Sequence, residues 1–157
     1  MRKDIIIVAP HADDEIIGCF DVLRTGRVSH VLFSTQDACR EALKSASHFG
    51  FIGEYAATHT PRVFGLHNTY LFPDPYTELH PHHRAWGHKG EELARMGYNV
   101  YFYSTNMQAP YIRESMFPAL KKESLDILYP EKKELWAYDH KYFLFEGQTK
   151  WKMTWRD

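Results

Sequence analysis

The sequence predicts an α/β fold, with a Rossmann-like, mainly parallel sheet flanked by helices and a β-hairpin at the C-terminal end. Residues 5–9 (Ile-Ile-Ile-Val-Ala) form an unbroken apolar run, which is typical of a strand buried on both faces. Strand and helix patterns then alternate, as expected for parallel strands joined by right-handed crossovers. Near the end, residues 141–145 and 150–155 flank Glu146-Gly147-Gln148, which indicates a hairpin.

Apolar periodicity and helix-ending glycines place the other elements in order. The 157 residues are most simply one domain covering residues 1–157. Glycines at 50 and 97 end two of the helices, and Pro118 fits the first turn of another. The predicted elements are helix 14–24, strand 28–34, helix 38–49, strands 62–66 and 69–72, helix 82–96, strand 99–104 and a mostly helical segment 114–128.

Composition argues against several classes of function. The net charge of −1 gives no general attraction to nucleic acid or to an anionic membrane. Tryptophans among lysines in residues 150–155 can mark single-strand nucleic-acid binding, but an amphipathic strand covering the core is the commoner cause. We expect no signal peptide, and no apolar run is long enough for a membrane span. Its two cysteines suit a reducing compartment, so we expect a cytoplasmic protein.

The turn after the first strand carries one imidazole and three carboxylates within five positions, His11 to Glu15. Asp13 and Asp14 equally suit a helix start, because an Asp at the N-cap accepts from exposed amides and acids favour the helix dipole. Capping does not require an imidazole at His11, however. Since a strand-to-helix turn can bring positions three apart onto one ion, we interpret His11 and Asp14 as half of a metal site at the carboxyl end of the sheet.

A second cluster opens the predicted helix 82–96, with three imidazoles within four positions. His83 shares a helical face with Gly87 and Gly90, which would let the helix approach the sheet closely, so His83 is expected to point inward. His80 lies in the approach loop, and His82 lies about 100° around the helix from His83. Solvated histidines at a polar helix start are the alternative, but the His-x-x-Asp pattern at the first strand favours a shared site.

These two motifs resemble those of a known family. His11-Ala12-Asp13-Asp14-Glu15, followed by Ile-Ile-Gly-Cys, is similar to the AHPDDE signature of the PIG-L/LmbE-like zinc-dependent N-deacetylases. His80-Pro81-His82-His83-Arg84-Ala85 is similar to that family's HPDHRA motif. Beyond Gly97 only the general layout matches. The resemblance implies an enzyme that acts on N-acetylglucosaminyl-phosphatidylinositol or related N-acetyl sugars.

Position by position, the resemblance implies that His11, Asp14 and His83 bind zinc, that Asp13 is the general base, and that His80 is the acid or oxyanion partner. General chemistry agrees with this division. Two imidazoles and one carboxylate leave the fourth zinc position for a water whose pKa falls toward ~7. A neighbouring carboxylate can accept the proton of that water. The residue types alone do not distinguish zinc from another divalent metal.

Three further residues are candidate substrate contacts. His82 stands where the family has an acid, and a neutral imidazole orients a neighbouring histidine less well than an acid does. Arg40 could hold a phosphate or a sugar hydroxyl, or be an ordinary surface charge. Tyr76 could hydrogen-bond the reaction intermediate, or pack within its Pro-rich loop. Because the chain is shorter than most of the family, a neighbouring subunit of a homo-oligomer could complete the pocket.

The resulting hypothesis is a zinc hydrolase that removes the acetyl group from an N-acetylated sugar or glycoconjugate. One alternative is a catalytically silent, metal-containing binding module of the same fold. Another is a nucleotide-binding Rossmann domain. The first strand–helix turn argues against it, because this turn lacks GxGxxG and places carboxylates where a phosphate needs amides.

Overall fold

Within the computed structural model, which describes residues 2–56, 64–137 and 139–150, the strands form one sheet in the order β3-β2-β1-β4-β5-β7-β6. Pairing from β3 to β5 is parallel, whereas β7 runs antiparallel to both β5 and β6. The predicted α/β class, with a mainly parallel sheet and an antiparallel pair toward the C-terminal end, is confirmed. The strands are β1 Ile5–Ala9, β2 Val28–Phe33, β3 Ile52–Tyr55, β4 Thr69–Pro73, β5 Asn99–Ser104, β6 Ile112–Glu114 and β7 Phe145–Lys150.

Helices cover both faces of this sheet. Along β1, Ile7 packs in a cluster with side chains of the first and fifth helices, whereas Val8 packs in a second cluster with Trp86. Successive strand residues point to opposite faces, so the unbroken apolar run of β1 serves two cores. None of the described helices is both long and apolar enough to cross a bilayer. The helices are α1 Asp14–Leu23, α2 Gln36–Glu41, α3 Leu43–Phe49, α4 Pro81–Arg95, α5 Pro118–Leu128, α6 Lys133–Trp136 and α7 Lys141–Leu144, with a 3₁₀ turn at Pro130–Lys132.

The strand order reverses direction between β1 and β4. The chain moves outward from β1 to β2 and β3, then returns to the other side of β1 as β4 and β5. In open α/β sheets, ligands bind outside the carboxyl ends of the strands at such a switch point. The segment after β1 begins with Pro10 and His11, and the segment after β4 leads into α4. Both histidine motifs therefore leave the sheet at this crevice.

Close packing of α4 on the sheet depends on two glycines. A Cβ on Gly90 would lie 2.6 Å from Cγ of Phe72, and a Cβ on Gly87 would lie 2.4 Å from the carbonyl oxygen of Pro73. Neither position therefore has room for a side chain. This confirms the expectation that the glycine face of the helix turns toward the sheet, and it brings His83, on the same face, over the end of β1 and β4.

The third strand lies earlier in the chain than predicted. It is β3, Ile52–Tyr55, which pairs with β2. Of the predicted strand 62–66, residues 64–66 form loop and turn, so this prediction was wrong there, and residues 62 and 63 lie outside the described residues. The edge strand β3 is half-exposed and contains a glycine, so it lacks the buried apolar pattern that makes β1 recognisable.

Two predicted helices have different bounds. The predicted helix 38–49 is divided at Ala42, and it begins earlier because the Thr35 hydroxyl accepts from the N–H of Ala38 and caps α2. Backbone hydrogen bonds continue through Ala42, so the division is a kink. The predicted helix 114–128 begins only at Pro118, in the predicted first-turn position. A residue before proline avoids helical backbone angles, and Phe117 has φ −136° and ψ 58°.

The two arms of the C-terminal antiparallel pair also differ from the prediction. Residues 141–144 form the helix α7, and β7 starts at Phe145, so the predicted loop at 146–148 lies within a strand. The partners of β7 are β5 and β6, and the predicted arm 150–155 lies outside the described residues after Lys150. A short apolar run fits a helix and a strand equally well by pattern alone, which explains the error at 141–144.

Candidate metal centre

His11, Asp14 and His83 converge on one point although the histidines are 72 residues apart in sequence. His11 Nδ1 lies 3.1 Å from His83 Nε2, and Asp14 Oδ2 lies 3.1 Å from His83 Nε2 and 3.5 Å from His11 Nδ1. Two ligands of a tetrahedral zinc, each at ~2.0–2.1 Å from the ion, are about 3.4 Å apart. The three side chains therefore form a possible metal-binding group with the spacing that one small cation requires.

Each of these side chains lies in the segment that follows a strand: His11 and Asp14 follow β1, and His83 follows β4. The N–H of His11 donates to Asp14 Oδ2 at 2.9 Å, which closes the turn between β1 and α1. Asp14 is the first residue of α1 and His83 lies in the first turn of α4, and both are buried. The His11 side chain is 40% exposed. Solvent and ligands therefore reach this group from the His11 side.

Charges within the group shift the pKa values of its two buried residues, Asp14 and His83. Burial acts to raise the pKa of Asp14, but His83 and His11 outweigh it and hold that pKa below its ordinary value. Burial also acts to lower the pKa of His83, but the carboxylates of Asp14 and Glu78 raise it to about 10. Without a cation, the group therefore carries a proton on His83 that compensates Asp14. A metal ion bound there would replace that proton.

We expect the affinity for zinc to rise with pH, by up to about tenfold per pH unit, because His83 must lose its proton before it can bind the ion. The folded-state pKa of His83 is raised from 6.5 to about 10. Its proton therefore stabilises the metal-free fold below pH 6.5, and this stabilisation is lost as the pH rises through about 10. Calorimetric zinc titrations at several pH values measure the slope. A flat affinity would contradict the coupling.

Asp13 does not use its carboxylate to cap α1. It occupies the N-cap position with a left-handed backbone, φ 113°, and its side chain makes no capping hydrogen bond. Its N–H donates instead to Glu15 Oε1 at 2.9 Å. A non-glycine residue in such a conformation costs about 1–3 kcal/mol and is found mainly where function requires it. The capping interpretation is therefore wrong for Asp13, and its carboxylate remains available beside the metal-binding group.

Lys132 places a positive charge beside Asp13 and was not predicted as part of the site. Its Nζ lies 3.9 Å from Asp13 Oδ2, donates to the carbonyl of Ala12 and lies 3.1 Å from Glu41 Oε2. Burial and the charge of Asp14 hold the pKa of Asp13 well above its ordinary value, and Lys132 acts in the opposite direction. A carboxylate whose pKa is raised is a stronger base than an ordinary surface Asp.

His80 and His82 lie beside the metal-binding group, on its exposed side. The ring of His80 is 4.9 Å from that of His11, centroid to centroid, and the ring of His82 stacks on His11 at 5.9 Å. His80 also caps α4, because its Nδ1 accepts from the N–H of His82 at 3.1 Å. Burial and the three neighbouring histidines lower the pKa of His80. Its ring is therefore neutral near pH 7, with Nε2 as the proton donor.

A buried carboxylate, Glu78, completes the surroundings of His83 and was missed in the sequence. Glu78 Oε1 lies 3.1 Å from His83 Nδ1 and accepts from the Thr105 N–H at 3.0 Å, while Oε2 accepts from the Thr105 hydroxyl at 2.9 Å. Metal-binding histidines usually donate their second N–H to such a carboxylate, which fixes the ring. The only signal in the sequence is an acid five residues before His83, within a Pro-rich loop.

The predicted substrate contacts Arg40 and Tyr76 have protein partners of their own. The guanidinium of Arg40 pairs with Asp37 on the surface of α2. The hydroxyl of Tyr76 donates to Glu91 Oε2 of α4 at 2.6 Å. Their roles toward a substrate, like that of His82, stay predictions.

An open cleft of about 190 Å³ adjoins the two aspartates. Asp13 and Asp14 line it together with residues of the C-terminal helices α6 and α7. Its remaining lining residues are Ile17, Thr105, Leu135, Trp136 and Tyr142.

No protein-family model matches this chain, and comparison with curated proteins finds no significant match. The function is therefore inferred from the site.

Proposed function

We propose that this protein is a zinc-dependent N-deacetylase that acts on an N-acetylated sugar or glycoconjugate. The observation that carries the proposal is that His11, Asp14 and His83 meet after the carboxyl end of β1, next to an Asp13 carboxylate that does not cap α1. The resemblance of both motifs to the PIG-L/LmbE-like family supports the same activity. The inferred localisation of such an enzyme is cytoplasmic.

The donor set fits zinc better than a hard cation. Two imidazole nitrogens and one carboxylate oxygen suit zinc, whereas calcium and magnesium take mainly oxygen ligands. The second nitrogen of His83 is already bound to Glu78, as is usual around zinc. When bound, zinc supplies a water of lowered pKa and polarises an amide carbonyl.

The chain's own residues supply the proton transfers. Asp13, one position before Asp14, accepts a proton from the attacking water. The ring of His80 lies 4.9 Å from that of His11, centroid to centroid, and its Nε2–H donates a hydrogen bond to the developing oxyanion. Asp13 then passes the proton that it took from water to the leaving amine. The amide C–N bond breaks, the acyl carbon gains the hydroxyl of water, and acetate and a free amine leave.

Acetate release from a panel of N-acetyl sugars tests the proposal, with zinc-loaded and chelator-treated protein side by side. We expect acetate from at least one sugar with the zinc-loaded protein, and none after chelation. Metal analysis of the purified protein should give one ion per chain. Bound metal without any acetate release would overturn the proposal and favour the alternative of a metal-containing binding module.

Zinc should also stabilise the fold, because the ion binds the folded state at a site that the unfolded chain lacks. At a free zinc concentration 100 times the dissociation constant, the gain in the free energy of unfolding is about 2.7 kcal/mol. Thermal unfolding with zinc and with chelator measures this gain. His83→Ala should abolish it, whereas His88→Ala, on the exposed face of the same helix, should retain it. An equal zinc effect in both variants would contradict the assignment of His83.

A further inference from the structure

Both carboxylate oxygens of Glu15, a fully buried residue one position after Asp14, accept hydrogen bonds from the protein. Oε1 accepts from the N–H of Asp13 at 2.9 Å, and Oε2 accepts from the hydroxyl of Ser45 at 2.8 Å and from the hydroxyl of Tyr129. A buried carboxylate requires such partners, because its charge is otherwise uncompensated. Glu15 therefore connects the backbone before the metal ligand to α3 and to the end of α5.

The carbonyl of Ala12 is bound from the same part of the chain. Tyr129 is the C-cap of α5, and Lys132, three residues later, donates from Nζ to this carbonyl. The Ala12 carbonyl and the Asp13 N–H belong to one peptide group, and they move together because a peptide group is planar. The segment after α5 therefore binds both polar ends of the Ala12–Asp13 peptide, one end directly through Lys132 and the other through Glu15.

The orientation of this peptide group determines the unusual backbone of Asp13. Among the residues that the structure describes, Asp13 is the only one other than glycine with a positive φ, 113°. The broadly allowed regions for such a residue have negative φ, and reaching them turns the Ala12–Asp13 peptide away from both partners. In a relaxed N-cap, an Asp gives its carboxylate to the amides of the first helical turn. The contacts with the peptide therefore oppose capping by Asp13.

We propose that Tyr129 and Lys132 are positioning residues: by fixing both ends of the Ala12–Asp13 peptide, they keep the carboxylate of Asp13 out of the α1 cap and free to act as the base. The inference rests on the proposed function, because it explains how the fold keeps the base of that reaction available. Tyr129 is fully buried and acts through Glu15, so it has no contact with a substrate.

Tyr129→Phe removes one hydroxyl group and keeps the ring. The kcat for the best N-acetyl sugar should fall about tenfold or more, as expected for the loss of a hydrogen bond to a charged group, while KM and zinc affinity stay the same. Tyr70→Phe is the matched control, because it also removes a buried hydroxyl, which donates to the Gly65 carbonyl near the start of β4. It should lower the free energy of unfolding but not kcat.

Ser45→Ala provides a second variant of the same network, and it keeps the test decisive if Tyr129→Phe does not fold. Ser45 donates to the same oxygen of Glu15 from a different helix. Its removal should therefore also lower kcat without changing KM or zinc affinity.

Hydrogen exchange of the Asp13 amide, followed by NMR in the metal-free protein, is a readout that does not depend on turnover. This amide should exchange about tenfold faster in Tyr129→Phe and in Lys132→Met than in the unaltered protein, because each variant releases one end of the peptide. Tyr70→Phe and Lys133→Met, the latter at an exposed neighbouring position, should leave the exchange of this amide unchanged.

The two readouts separate failure of this inference from failure of the proposed function. If no N-acetyl sugar is hydrolysed but the Asp13 amide exchanges faster in Tyr129→Phe and Lys132→Met, the contacts that fix the peptide stand and the deacetylase activity fails. Unchanged kcat and unchanged Asp13 exchange in variants that lose only stability would overturn the inference. A loss of zinc affinity that accounts for the whole loss of kcat would also overturn it, because the network would then act on Asp14.

Discussion

Asp13→Asn should lower the turnover of N-acyl substrate about 10²–10⁴-fold while the zinc content of the protein stays the same. The amide keeps the size of the side chain but cannot accept a proton from water. Asn also tolerates the left-handed backbone of this residue, φ 113°, so the turn that carries Asp14 should keep its shape. Acetate release at saturating zinc, together with metal analysis, separates the loss of the base from the loss of the ion.

Asp126→Asn is the matched control, because Asp126 pairs with Lys122 on α5, away from the cleft. It should retain both turnover and zinc. Wild-type turnover in Asp13→Asn would exclude Asp13 as the base. Loss of zinc in this variant would instead show that the carboxylate of Asp13 contributes to metal binding.

The parts of the fold that the sequence predicts well are those with a strong local signal. β1 has a continuous apolar run and β5 alternates around aromatic residues, and both lie where predicted. Helix α4 has a Pro in its first turn and a glycine after its end, and its bounds are nearly those predicted. Tertiary pairing decides the rest: β3 is a half-exposed edge strand, and residues 141–144 are aromatic enough for a strand yet form a helix.

The site residues also divide into those that the sequence predicts and those that only the folded structure brings together. Spacing along the chain indicates that His11 and Asp14 share one point, and glycines four and seven positions after His83 indicate its inward direction. Contacts across the fold have no such signal. Glu78 is held against His83 by Thr105, which follows the end of β5 and lies 27 residues later in the chain. Lys132 lies in the 3₁₀ turn, and its approach to Asp13 spans more than half the chain. His80 was predicted as the acid or oxyanion partner from the resemblance of its motif, which does not reveal its additional role as a helix cap.

Glu78→Gln should weaken zinc binding about 10–100-fold, although Glu78 does not belong to the three-residue metal-binding group. The carboxylate accepts from His83 Nδ1, and this hydrogen bond fixes the ring so that Nε2 points at Asp14 and His11. The negative charge also makes the imidazole a stronger ligand. Gln has the same shape but lacks that charge. Competition titrations against a zinc-binding dye measure the dissociation constant directly.

Zinc in excess distinguishes this positioning role from a general loss of structure. If Glu78 only orients and polarises His83, saturating zinc should restore most of the stabilisation and turnover of Glu78→Gln. Glu92→Gln, on the exposed side of the same helix where it pairs with Lys89, should bind zinc like the unaltered protein. An unchanged zinc affinity in Glu78→Gln would show that this buried carboxylate stabilises the contacts with Thr105 and does not support His83 as a metal ligand. Zinc affinity should rise with pH in the unaltered protein and rise less steeply in Glu78→Gln. That difference would show that the carboxylate of Glu78 contributes to the raised pKa of His83.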